Sequence, residues 1–242
     1  MSAFRTTRWS LILQTRFGGA EARQALEALC RIYRPAVIAF VRRHGYSPAD
    51  AEDLVQSFYA DVICRDFHAR ADPARGRFRS YLLTALRHFV ASSRAHDDAL
   101  KRGGQAGHLS LGNQDADGHI DLADDGESPD EVFDRVWAIT VLHQAMDRLD
   151  HEAQLAGKGR LFGELKVFLV EDPEGDDYAR LAERLGMRPN TIAVAVHRLR
   201  RRLRVQVGMV LNETVEDAAS ADAEMAHLKA ALGAPAHARI GV

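Results

Sequence analysis

Residues 177–204 read DYARLAERLGMRPNTIAVAVHRLRRRLR, and this stretch decides the fold of the C-terminal part of the chain. Its apolar residues recur at helical spacing both before and after Gly186. Gly186 permits a turn, and Pro189 can occupy the first position of the following helix. A short helix over 178–185, a short turn with glycine and a second helix from Pro189 together form a helix-turn-helix.

The second predicted helix combines polar and basic side chains that suit DNA. Its first turns would face the major groove, and the arginines that follow would contact phosphates. A solvated basic helix end is the alternative, because cations stabilise helix C-termini. We favour DNA binding, since the basic residues accompany turn chemistry of the correct spacing. The candidate DNA contacts are Arg188, Asn190, Thr191, Val194, His197, Arg198, Arg200, Arg201, Arg202 and Arg204.

The chain divides at residues 101–129. This segment is rich in glycine and acidic residues and has almost no apolar periodicity, which predicts a flexible acidic linker. It separates one helical module at 20–100 from a second at 130–206, with extensions at 1–19 and 207–242. No segment alternates like a strand, so the predicted fold is all-α, with two helical domains.

The formal net charge of −2 conceals large blocks of opposite sign. Residues 73–104 carry a net +5 and residues 177–206 a net +6. Residues 50–72 carry −4 and residues 105–134 carry −9. Separate charged surfaces indicate separate partners, so near-neutrality of the whole chain does not exclude a nucleic-acid partner.

Several protein classes are disfavoured by what the sequence lacks. No stretch approaches the roughly 18 consecutive apolar residues of a membrane span, so we expect no membrane partner. Cys30 and Cys64 stand apart without metal-ligand spacing, so we expect neither a zinc site nor a disulfide framework and take a reducing cytoplasm as the location. The histidines are scattered, and no phosphate loop or nucleophile–base pair is visible. We therefore expect a protein that is not an enzyme, with no catalytic residue, cofactor or metal.

Two motifs in the N-terminal module carry further chemistry. DAEDLVQSF, residues 50–58, places Asp50 and Asp53 one helical turn apart near a helix start, with Glu52 beside them. Acids at a helix N-terminus also interact favourably with the macrodipole, which is the simpler explanation. RGRFRSYLLTALRHF, residues 75–89, interleaves arginines with aromatic residues, a mixture that can stack unpaired bases and hold their backbone. The aromatics can equally form a core with a basic exterior.

In their order and spacing, these motifs resemble the extracytoplasmic-function (ECF, group IV) sigma factors of bacterial RNA polymerase. The resemblance covers about residues 20–100 and 130–205. It rests on DAEDLVQ, RGRFRSYL, the acidic linker and LGMRPNTIAVAVHRLRRRLR. Within that family the chain looks similar to a subgroup with an N-terminal TRWS-like segment, here TRWSLIL at residues 7–13, and a C-terminal extension.

The resemblance implies a role for each part of the chain. Residues 20–100 would be sigma domain 2 and residues 130–206 sigma domain 4, which would contact the polymerase β subunit and read the minus-thirty-five element through the helix-turn-helix. The acidic linker would thread the positively charged cleft of the polymerase. The residues that would bind the clamp of the β′ subunit are Asp50, Glu52, Asp53 and Gln56. Those that would open and hold the minus-ten strand of promoter DNA are Arg77, Arg79, Tyr81, Arg87 and His88.

The sequence departs from the family pattern at three places. Ser57 stands where many relatives carry an acid, and we hypothesise that a Ser/Thr kinase restores the charge there by adding about −1.5 to −2. Residues 193–195 are Ala-Val-Ala in place of a polar triplet, which shifts readout toward thymine methyl groups and DNA shape. His88 replaces a common asparagine.

An ordinary helix-turn-helix transcription regulator is the alternative function. It would explain residues 177–206 but would leave the DAEDLVQ motif, the arginine–aromatic helix and the acidic linker as coincidences. The extension at 207–242 either covers one of the modules or docks on a regulator such as an anti-sigma factor, and the sequence leaves both alternatives open.

Overall fold

The computed structural model describes residues 20–64, 78–103, 126–215 and 218–233. These ranges are all-α, which confirms the predicted fold class. A single turn of 3₁₀ helix, Lys166–Leu169, follows the fifth of the helices. The α-helices of the described ranges are α1 (Ala20–Arg43), α2 (Pro48–Cys64), α3 (Phe78–Gly103), α4 (Pro129–Leu155), α5 (Gly159–Leu165), α6 (Asp177–Leu185), α7 (Pro189–Asn212) and α8 (Ala218–Gly233). None of them is both long enough and apolar enough to cross a membrane.

The contacts divide the described residues into two compact units. The first unit holds the described residues up to Thr140 together with those from Asn212 onward, and the second holds Val141–Leu211. The divisions therefore fall within α4 and at the end of α7, whereas the sequence predicts domain boundaries at 130 and 206. The N-terminal extension, Arg77 and most of the predicted linker lie outside the described residues.

An aromatic core explains why the first half of α4 belongs to the first unit. Tyr33 on α1 packs edge-on against Phe78 of α3, with ring centroids 5.1 Å apart. Phe133 of α4 stacks on Tyr33 and meets Phe40 edge-on, both at 6.5 Å. These four rings are almost completely buried. Such large apolar side chains dominate core stability, so the first part of α4 packs within this unit.

The second unit has a core built around the predicted helix-turn-helix. Leu181 and Ala182 of α6 pack with Ile192 and Val196 of α7, and Leu165 of α5 completes the buried cluster. Four of the apolar positions that predicted the motif are therefore buried between its helices, whereas Ala179, which the periodicity also placed inward, is exposed.

The turn of this motif depends on Gly186. Its backbone has φ +62°, a left-handed conformation that glycine adopts without strain. The amide of Gly186 donates to the carbonyl of Glu183, and the amide of Met187 donates to that of Ala182 at 2.8 Å. This pair of bonds is a Schellman cap, which ends α6 and turns the chain into α7.

The predicted C-terminal extension contains α8, which packs within the first unit. Leu228 and Glu224 are its buried residues, at 4% and 1% exposure. Thr214 and Val215, just before α8, are buried as well. The described part of this extension from Asn212 onward thus belongs to the first unit, and its docking on a regulator stays a prediction.

Candidate functional site

The exposed side of α2 carries most of the predicted acidic site. Ala51, Val55 and Phe58 form the buried side of this helix, which turns the other face to solvent. The exposed face, which we call the α2 acidic face, consists of Asp50, Asp53, Gln56 and Ser57.

Ser47 fixes the start of α2 and orients the first acid of this face. Its hydroxyl accepts a hydrogen bond from the amide of Asp50 at 3.2 Å and donates one to the Asp50 carboxylate at 2.7 Å. This side-chain cap satisfies an amide that the helix itself cannot pair.

Glu52 differs from the other predicted acids because it is paired. Its carboxylate forms an ion pair with Arg34 of α1, and both side chains are about half-exposed. Within the described ranges Asp50 and Asp53 form no ion pair, so the α2 acidic face owes its uncompensated negative charge there to these two acids.

The predicted strand-binding residues of α3 separate into two environments. Arg87 and His88 lie on the exposed side of the helix, and Tyr81 is half-buried. Arg87 donates to both carboxylate oxygens of Asp130, at 3.0 and 2.6 Å. These hydrogen bonds raise the pKa of the Arg87 guanidinium above its ordinary value.

Arg79, in contrast, is buried at 7% exposure. Its Nε donates to Glu224 of α8 at 3.1 Å, and its Nη1 forms an ion pair with Asp134 of α4. The guanidinium also lies 5.2 Å from the ring centroid of Trp137, a cation–π contact. Protein carboxylates thus hold Arg79, as Asp130 holds Arg87, but Arg79 is buried whereas Arg87 is exposed.

The predicted reading face of the helix-turn-helix is presented to solvent. Ile192 and Val196 anchor the opposite side of α7 in the core. The exposed members of the prediction, including Arg188 just before the helix, are Arg188, Asn190, Thr191, Val194, His197, Arg198, Arg201, Arg202 and Arg204.

Arg202 has a protein partner although it is exposed. Its guanidinium donates to both oxygens of the Glu152 carboxylate, at 3.0 and 2.7 Å. Gln206 donates to the same carboxylate. The hydrogen bonds from Arg202, together with its charge, lower the pKa of Glu152. The positive charge of Arg202 is therefore partly neutralised beside the reading face.

Metal chemistry finds no support in the described part of the chain. No group of three or more histidine, cysteine or acidic side chains there is arranged to hold a metal ion. Cys30 is a free thiol, and burial raises its pKa to about 12. Such a thiol stays protonated at neutral pH and is a poor nucleophile.

The first half of this site lies in a segment with a recognisable family. Residues 29–98 match sigma-70 region 2. This region 2 match takes in the α2 acidic face and α3 as far as residue 98. No curated protein and no solved structure matches the chain. The helix-turn-helix lies beyond the region 2 match, so its assignment depends on its own geometry.

The acidic partners of Arg79 were not among the predicted site residues. Asp134 and Glu224 lie 55 and 145 positions away from it in sequence. One local signal exists for Glu224, because it precedes Leu228 by four residues and shares its helix face. An acid within an otherwise apolar stripe indicates a buried ion pair.

Proposed function

We propose that this chain is an ECF sigma factor, a dissociable subunit that binds core RNA polymerase, directs it to specific promoters and helps to open the DNA. The observation that carries the proposal is the exposed pair Asp50 and Asp53 on α2, inside the region 2 match. Two carboxylates one turn apart offer a complementary surface to basic helices of a polymerase clamp.

The remaining surfaces suit the other steps of promoter recognition. The exposed Arg87 and His88 of α3 would hold the minus-ten strand, with Tyr81 beside them. The reading face of α7 would enter the major groove at the minus-thirty-five element, and the unit that carries it would contact the polymerase β subunit. The chain would act in the cytoplasm by binding alone, without covalent chemistry.

Readout by α7 would depend on shape and methyl contacts as well as on hydrogen bonds. Val194 is exposed at 42% in the middle of the reading face, where it can pack on a thymine methyl group. Asn190, Thr191 and Arg198 flank it with polar groups for base edges and phosphates.

Charge reversal of the α2 acidic face tests the proposal. The variant Asp50→Arg with Asp53→Arg should bind core polymerase at least about tenfold more weakly, because like charges would now face each other. It should also lose polymerase-dependent initiation from a cognate promoter. The matched control is Asp147→Arg with Asp150→Arg, a second exposed acid pair with the same spacing, on α4.

Equal loss in both double variants would reject a specific clamp contact. Tight, specific binding of the unmodified chain to duplex promoter DNA without polymerase would instead favour the helix-turn-helix regulator.

Ser57 extends this proposal to a kinase partner. Its side chain is exposed on the α2 acidic face, so a phosphate there would add negative charge to the surface offered to the clamp. Ser57→Glu should then bind core polymerase more tightly than Ser57→Ala. Equal affinities of the two variants would reject the hypothesis that a kinase acts through Ser57.

A further inference from the structure

Five segments of the first unit meet in one buried polar cluster around Arg79. Four other residues of the cluster each have at most 1% of their surface exposed: Tyr33 of α1, Trp137 of α4, Thr214 just before α8 and Glu224 of α8. Burial raises the pKa of the Tyr33 hydroxyl, and the nearby Glu224 charge raises it further. The C-terminal helix is thus part of the interior of this unit and not a peripheral tail.

Arg79 and Glu224 form an almost completely buried ion pair. Removing one partner of a buried pair leaves the other charge without compensation, which is strongly unfavourable. Asp134 supplies the second carboxylate to Arg79, and His227 of α8 lies with its Nε2 2.8 Å from the other oxygen of Asp134. The Arg79–Glu224 pair therefore links α8 directly to α3.

A second arginine of α3 is held in a similar way. Asp130 lies one turn before Asp134 on α4 and binds Arg87 through both carboxylate oxygens. Three carboxylates from the C-terminal side of the chain thus bind two arginines of α3. Carboxylate and phosphate oxygens use the same guanidinium donors, so a nucleic-acid strand would compete for them.

We propose that Asp130 and Asp134 of α4 and Glu224 of α8 form an internal acidic clasp that blocks anionic strands from Arg79 and Arg87. In the free chain the clasp keeps affinity for single-stranded DNA low, and release of α8 makes Arg79 available to phosphates. That the competing strand is promoter DNA rests on the function proposed above. Competition with the carboxylates for the two arginines requires only an anionic strand.

The variant Glu224→Gln tests the clasp in the full chain. It keeps the shape of the side chain and removes the charge that faces Arg79. The probe is a fluorescein-labelled oligothymidylate of about 15 nucleotides, read by anisotropy without polymerase. We expect about fivefold tighter binding than for the unmodified chain, the lower end of typical coupling between two sites.

The salt dependence of the same binding identifies the group that is freed. One additional phosphate contact steepens the slope of log affinity against log salt by about 0.7 for a single strand. The matched control is Asp222→Asn, which removes one acid from an exposed position of the same helix. Equal affinities and slopes for Glu224→Gln and Asp222→Asn would overturn the clasp.

If circular dichroism shows that Glu224→Gln does not fold, a second variant tests the clasp in its place. Asp134→Asn removes the other carboxylate at Arg79 and is compared with Asp147→Asn, an exposed acid on the same helix. Tighter strand binding by Asp134→Asn than by its control supports the clasp, and equal binding overturns it.

Hydrogen exchange of the unmodified chain gives an independent measurement. With saturating oligothymidylate, amides of α8 should exchange faster than in the free chain, because the helix leaves its site. Unchanged or slower exchange would overturn the clasp. If the chain does not bind core polymerase, the proposed function is rejected. The oligothymidylate binding of the variants and the hydrogen exchange of α8 would still test the clasp.

Discussion

Arg200 and Arg201 are neighbours in sequence but have opposite surroundings on α7. The Arg200 guanidinium donates to the carbonyl oxygens of Phe168 and Glu171, at 2.8 and 2.9 Å, and to the Asp172 carboxylate at 2.9 Å. It therefore closes the end of the 3₁₀ turn onto α7. Arg201 is exposed on the side that carries the reading face.

Alanine at these two positions should separate stability from DNA binding. Arg201→Ala should weaken binding to a short labelled duplex and reduce the slope of log affinity against log salt by about 0.9, as loss of one phosphate contact does. Its thermal unfolding temperature should stay that of the unmodified chain. Anisotropy over a salt series measures the first effect.

Arg200→Ala should do the reverse. It leaves two carbonyl oxygens without their charged donor, which should cost roughly 1–3 kcal/mol in the free energy of unfolding. The salt slope should not change. A reduced slope in Arg200→Ala, or an unfolding temperature lowered as much by Arg201→Ala, would show that the two roles are assigned wrongly.

Gly186 provides a prediction about the backbone alone. An added Cβ would meet no atom within 4 Å, so alanine there suffers only from the left-handed conformation. Gly186→Ala should lower the free energy of unfolding by about 1 kcal/mol, measured by urea denaturation. Gly186→Asn should lose less, because asparagine tolerates this conformation better.

Gly163 is the matched control for that substitution. It lies within α5, and an added Cβ there also meets no atom within 4 Å. Gly163→Ala should raise the free energy of unfolding by about 0.5–1 kcal/mol, the difference in helix propensity. If both substitutions changed the free energy of unfolding in the same direction, backbone conformation would not explain the destabilisation expected at Gly186.

Gly186 also shows why the helices and the turn of the helix-turn-helix could be predicted from the sequence. Its two helices and its turn follow from periodicity and turn chemistry within 28 residues, and its reading face stays a prediction. The cap at Gly186 and the buried Ile192 and Val196 agree with that local pattern. The α2 acidic face was predictable for the same reason, because one helix contains all of it.

Partners that are distant in sequence could not be predicted in this way. The pairs Arg79–Glu224 and Arg202–Glu152 join residues 145 and 50 positions apart, and a local pattern contains no information about which charges meet. The contacts divide the described residues within α4, whereas the boundary at 130 stays a prediction from the sequence. The helix continues unbroken through Thr140, whereas its two parts belong to different compact units.

The Glu152–Arg202 pair predicts a pH dependence of stability. Arg202 lowers the pKa of Glu152 in the folded protein, so the pair stabilises the fold above the ordinary glutamate pKa of about 4.3. That contribution is lost as the pH falls through the lowered value. Glu152→Gln should therefore unfold at a lower temperature than the unmodified chain at neutral pH.

The temperature difference should shrink as the pH is lowered below about 4.3. Asp147→Asn, an exposed acid on the same helix, should show a smaller and nearly constant difference over the same series. A difference for Glu152→Gln that grows in acid would contradict the assignment, since it would require a raised pKa.

Phe133 and Phe162 allow the two compact units to be tested separately. Both side chains are buried, at 0% and 4% exposure, and they belong to the first and second unit respectively. Phe133→Ala removes the ring that meets Tyr33 and Phe40, and such a truncation costs about 3–5 kcal/mol. Hydrogen exchange should then accelerate in α1 and α3.

Phe162→Ala should instead accelerate exchange in α6 and in the first turns of α7, while α1 and α3 keep their protection. This outcome follows because local opening is governed by the contacts of each cooperative unit. If α4 began the second domain, as the boundary at 130 predicts, Phe133→Ala would loosen α6 and α7 and spare α1. The pattern of protection therefore decides between the boundary seen in the contacts and the one predicted from sequence.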